Sequence, residues 1–159
     1  MLPLITGSDP AVRTPAMTTA AYCLDHPALR DRRDTVAELL AGTAAVSPDP
    51  AERAAGARLL GRLGACPQAL LSDEHPGVRA CAALAPEFSD DERATRELVS
   101  ALTVPKDADE WFGRHLPGQD GWLHCDLAEA LAARASGLEA VSYTHLDVYK
   151  RQSWQGPNN

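Results

Sequence analysis

Apolar residues recur along the chain at steps of three and four, in segments punctuated by proline, glycine and acidic residues. That period marks one face of an α-helix, and no convincing two-residue alternation precedes residue 140. The first segment predicts a helix over about 10–24, with Val12, Ala16, Thr19 or Ala20, and Cys23 inward and Pro15 tolerated near its start. A second is expected over about 27–45, with Leu29, Val36, Leu39, Leu40 and Thr43 inward and the charged residues 30–34 on a solvated face. A third, over about 50–63, turns Ala55, Leu59, Leu60 and Leu63 to the core, and its small residues Ala54, Gly56 and Ala57 let a neighbour approach closely. Residues 64–67 stop it, and 67–71 suffice for only a turn of helix. The pattern resumes over 76–85 with Val78, Cys81, Ala82 and Ala85. Ser89 and Glu92 have capping-box spacing and open a helix to about Thr103, with Ala94, Leu98, Ala101 and Leu102 inward. Asp107 and Glu110 read as a second box before Trp111 and Phe112. The last helix is expected over about 122–135 on Leu123, Leu127 and Leu131. Residues 2–5 read as the tail of a helix that begins further upstream.

One short stretch opens three of these segments: Asp9-Pro10-Ala11-Val12-Arg13, Asp49-Pro50-Ala51-Glu52-Arg53 and, less perfectly, His75-Pro76-Gly77-Val78-Arg79. An aspartate accepts hydrogen bonds from the first-turn amides, and the proline after it loses nothing by lacking an N–H at the first helical position. The arginines, one turn in, can reach a neighbouring loop or carboxylate. Residues 13 and 53 are 40 apart, a helix-pair period, whereas 53 and 79 are 26 apart, too short for two full helices. The stretch resembles the first helix of a HEAT or armadillo-type repeat over about residues 2–135. The resemblance implies an all-α, right-handed α-α superhelix of about three helix pairs, one degenerate. It also implies that Asp9, Arg13, Asp49, Arg53 and Arg79 tie neighbouring repeats together, with Asp73 standing in where His75 departs from the aspartate.

The 159 residues are enough for one domain with a real core. A net charge of −7 argues against general affinity for nucleic acid or for anionic membrane. No apolar run approaches the ~18 residues of a membrane span, and the first five residues are too short and uncharged for a signal peptide. These features lead us to expect a cytoplasmic protein. The four cysteines, Cys23, Cys66, Cys81 and Cys125, form no CxxC pattern, and three of them are expected on buried helix faces.

Composition shifts abruptly at residues 141–152, where two of three tyrosines and one of two lysines fall. This segment can be encoded by DNA that, with a preceding CT, is its own reverse complement. It resembles the translated junction of two transposase-adapter ends used in sequencing libraries. The expected organisation is therefore a helical-repeat domain over 1–139, truncated at its C-terminus, and an adapter-derived or out-of-frame tail over 140–159. Without the residues from 141 onward the balance is 13 basic against 21 acidic residues, or −8.

No catalytic constellation stands out, and no catalytic residue, metal ligand or cofactor is expected. His124, Cys125 and Asp126 resemble a metal or triad fragment in composition, but neighbours on a helix point in different directions. Cys23 and His26 are two ligands where a zinc site needs more. Asp90, Asp91 and Glu92 fit capping better than metal binding. Trp111, Phe112 and Trp122 flank a loop with Arg114, His115 and Asp120, which reads either as a binding pocket or, preferably, as a plug over the end of the stack. The expected function is a binding or scaffold module without catalysis, recognising a protein partner through a concave helical face. The alternative is a HEAT-like enzyme or accessory protein, bilin lyase-like or, less well matched to the acidic charge, DNA glycosylase-like.

Overall fold

The computed structural model describes residues 5–7, 9–24, 26–112 and 121–135. The adapter-like segment, the tail after it, and Arg114, His115 and Asp120 lie outside the described residues, as does all but Ile5 of the expected helix tail at 2–5. Seven α-helices are described: α1 (Pro10–Cys23), α2 (Arg33–Val46), α3 (Pro50–Arg62), α4 (Pro76–Ala83), α5 (Glu92–Leu102), α6 (Pro105–Glu110) and α7 (Leu123–Ala135). Three 3₁₀ turns join them, at Pro27–Arg32, Gln68–Ser72 and Pro86–Phe88. No strand occurs among the described residues.

Helices pack on their chain neighbours: α2 on α3, α3 on α4, α4 on α5. The first helix also reaches α3, and α7 closes the array against α5 and α6. The centre is α3, where every residue from Glu52 to Ala57 is buried. An Ala- and Gly-rich surface makes this possible, because small side chains let helices approach from several sides. A Cβ built on Gly56 would lie 2.6 Å from Ala44 Cβ of α2, so that position has room only for hydrogen. The helix ends at Leu63, and Gly64 follows with φ of 69°, the left-handed conformation glycine adopts without penalty. The Ala65 amide then donates to Leu60 O and the Gly64 amide to Gly61 O, the paired bonds of a Schellman ending.

The structure departs from the sequence expectations in four local ways. Val12 is exposed, because Arg13 takes the inward position beside it and the apolar line of α1 runs instead through Ala16, Met17, Ala20 and Leu24. Residues 27–32 form a 3₁₀ turn before α2 rather than its first turns, because a short charged run at a helix entry readily takes the tighter turn, while residues 30–34 are exposed as expected. The cap of α5 is Asp91, which accepts from the Ala94 amide at 2.8 Å. Ser89 instead has helical dihedrals at the end of the 3₁₀ turn, which leaves only Asp91 in the extended conformation a cap requires. Asp107 opens no helix, because Pro105 sits at the first position of α6 and starts it two residues earlier.

Candidate functional site

The three motif arginines behave alike. Each sends Nη1 to the carbonyl six residues before it: Arg13 to Gly7 O at 2.7 Å, Arg53 to Ser47 O at 3.0 Å and Arg79 to Asp73 O at 3.0 Å. Each also places Nε on a carboxylate further along the chain. Arg13 pairs with Glu52, which Arg13 Nη2 also reaches at 2.6 Å and to which the Ser47 hydroxyl donates. Arg53 forks onto Asp73 at 2.8 and 3.0 Å, and Arg79 meets Glu97 at 2.9 Å. Asp73 is thus the stand-in that the sequence suggests. Asp49 accepts from the Ala51 amide at 2.9 Å, the N-cap that the sequence predicts. His75 does the same with Nδ1, accepting from Gly77 N at 3.1 Å. The arginine hydrogen bond from Arg13, reinforced by Ser47, holds the Glu52 carboxyl below its ordinary range against the opposing effect of burial.

A cleft of about 410 Å³ opens between α3, the 84–86 turn and α7. Its charged lining is Arg58, Arg62, Asp126 and Glu129, with Leu84, Ala85, Pro86 and Ala130 as apolar floor. Arg58 Nη2 donates to Asp126 Oδ2 at 2.6 Å across the cleft. Arg62 lies 4.3 Å over the Tyr22 ring, a cation–π contact to α1. Arg58 did not stand out in the sequence. The signal was an arginine between the apolar residues 54–57 and 59–60, which must find a partner.

His124, Cys125 and Asp126 do not act as a unit, yet two of them meet. Asp126 turns to Arg58, whereas Cys125 Sγ lies 3.4 Å from His124 Nε2. The residue completing the group is Asp109 of α6. Its Oδ2 is 2.6 Å from His124 Nδ1, and its Oδ1 accepts the His124 backbone N–H at 3.1 Å, so Asp109 also caps α7. Asp109 was missed because it lies fifteen residues from His124 and the α6–α7 packing alone joins them. The remaining cysteines separate. Cys81 is buried, and burial pushes its thiol up to about 12. Cys66 and Cys125 are exposed and Cys23 is half-buried, so one cysteine rather than three is fully in the core. Cys23 and His26 are joined through a backbone turn, His26 N to Cys23 O at 3.0 Å. Among the described residues no group of three His, Cys, Asp or Glu could hold a metal ion.

Trp111 and Phe112 are half-buried on the start of α4. Their rings would meet a Cβ on Gly77 at 2.6–2.9 Å, and Phe112 lies 5.2 Å from the His75 ring. They therefore cover the third motif copy, whereas Trp122 is 52 % exposed. No helix among the described residues is long and apolar enough to cross a membrane. No protein-family model, curated protein or solved structure matches the chain.

Proposed function

We propose that this chain is a HEAT-like helical-repeat module that binds a protein partner and has no catalytic task of its own. The observation that carries this reading is the recurrence at Arg13, Arg53 and Arg79 of one bonding pattern, a carbonyl six residues back and a carboxylate ahead. Repetition of such a unit is how solenoids join one helix pair to the next, and solenoids recognise partners by extended surfaces rather than by a reaction centre. The 26-residue interval fits as a unit whose second helix has shrunk to the turn Gln68–Ser72.

In this reading the recognition surface is the cleft between α3 and α7. An exposed glutamate, Glu129, edges it, and the net charge of −7 favours a partner with basic side chains. The test is capture of protein partners on immobilised full chain at low and physiological salt. Glu129→Lys should abolish capture, and Glu38→Lys, on the exposed face of α2, should not. Capture of nothing at either salt, or equal capture by both variants, would sink the proposal.

A further inference from the structure

The first turn of α7 holds chemistry that partner binding does not use. Cys125 is the third residue of that helix, and its side chain is exposed. Asp109 on His124 Nδ1 selects the tautomer that carries its proton there, which leaves Nε2 as the acceptor facing Sγ at 3.4 Å. A base within reach, a carboxylate that orients the base, and the positive end of a helix dipole are the conditions that make a thiol nucleophilic. They coincide at one of the four cysteines. Cys81 has no solvent access, Cys23 is half-buried at the end of α1, and partial burial with nearby Glu87 and Asp91 pushes the Cys66 thiol up.

Among the described residues, the charged groups near the pair include Asp109 from α6 and, on α7, Asp126 and Glu129, with Arg58 from α3. Asp109 is hydrogen-bonded to His124, and Asp126 is paired with Arg58. Glu129, four residues after Cys125, lies on the same face of the helix and its charge opposes the thiolate, so the gain at Cys125 must exceed that repulsion.

We propose that Cys125 is a modification site: a thiol that passes its proton to His124 Nε2, with His124 positioned by Asp109, and reacts with small electrophiles such as hydrogen peroxide. Sγ attacks one peroxide oxygen as the O–O bond breaks. The departing hydroxide takes the proton held at His124 Nε2 and leaves as water. Sulfur is oxidised to the sulfenic acid and peroxide is reduced. The site is independent of the partner-binding reading and survives its failure.

The experiment is alkylation of the full chain by iodoacetamide from about pH 5.5 to 9, with labelling followed at each cysteine by peptide mass spectrometry. Cys125 should react at least about tenfold faster than Cys66 near pH 6.5. After peroxide treatment, dimedone should add to Cys125. Asp109→Asn should move the Cys125 profile to higher pH and leave that of Cys66 in place. Cys81 reports folding, because it stays unlabelled while the core is closed. Overlapping profiles for Cys125 and Cys66 in the wild type would overturn the proposal. So would an unmoved Cys125 profile in D109N with Cys81 still protected. If D109N unmasks Cys81, the wild-type comparison decides alone.

Discussion

Glu52 shows how a single residue is made indispensable by its surroundings. It is 1 % exposed, in the longest buried run among the described residues, and it is ionised there because Arg13 and Ser47 donate to both of its oxygens. Removing one partner of such a pair leaves the other buried and uncompensated, which costs about 3–5 kcal/mol. A carboxyl held below its ordinary value of 4.5 contributes stability that is complete above that pH and is lost as pH falls through the lowered value. Asp73 adds to the same slope. Burial opposes its ionisation, but Arg53 and the His75 amide together outweigh burial and hold it below its ordinary 3.8. We therefore expect stability to fall as pH drops below about 4.5. Glu52→Gln should be less stable at neutral pH and should lose less on acidification. Urea unfolding of both proteins from neutral pH to about 3.5 measures this; parallel pH curves would contradict it.

At the scale of the element, two glycines in neighbouring helices are under opposite constraints. Gly56 in α3 faces Ala44 with no room for a methyl group, and Gly42 in α2 has nothing within 4 Å of its virtual Cβ. Alanine is the better helix former at both positions by about 1 kcal/mol. Gly42→Ala should therefore stabilise by roughly 0.5–1 kcal/mol. Gly56→Ala should destabilise by about 1–3 kcal/mol, because the overpacked α2–α3 contact outweighs the gain in propensity. Thermal melts of the two variants give shifts of opposite sign if this is right. The helix periods that the sequence displays follow from apolar spacing alone, and both boundaries of α1, α3, α4 and α7 and the end of α5 fall within two residues of expectation for that reason. The failures, at residues 27–32, Ser89 and Asp107, lie at or just after a proline or a tight turn, where backbone conformation outweighs side-chain preference.

For the whole molecule, the arginine bonds act as joints between a helix and a later segment of the chain, and they are unequal. Arg53 and Asp73 have side chains only 10 % and 9 % exposed, whereas Arg79 and Glu97 are 26 % and 21 % exposed. Desolvation strengthens the first joint and raises the cost of breaking it. Asp73→Ala should cost about 3–5 kcal/mol, and Glu97→Ala about 1 kcal/mol. Chemical denaturation of the two variants tests the ranking, and equal losses would show that the joints do not differ in strength. The loss of Asp73 also frees the His75 amide, so α4 and the aromatic cover of Trp111 and Phe112 should loosen with it.

The sequence by itself determined the helical class, the order of the helices and the identity of the arginines that recur, because all three depend on local spacing and capping. It also pointed to Asp73 as a substitute carboxylate, since that residue lies two positions before His75. Tertiary structure decided the rest. Which carboxylate meets each arginine depends on residues 18 to 39 positions apart in the chain. The cleft exists only because α7 returns to α3, and Arg58 finds Asp126 across 68 residues. The Cys125–His124 pair gains its orienting carboxylate from α6 in the same way. Periodicity says which face of a helix is inward, but only packing says what that face meets.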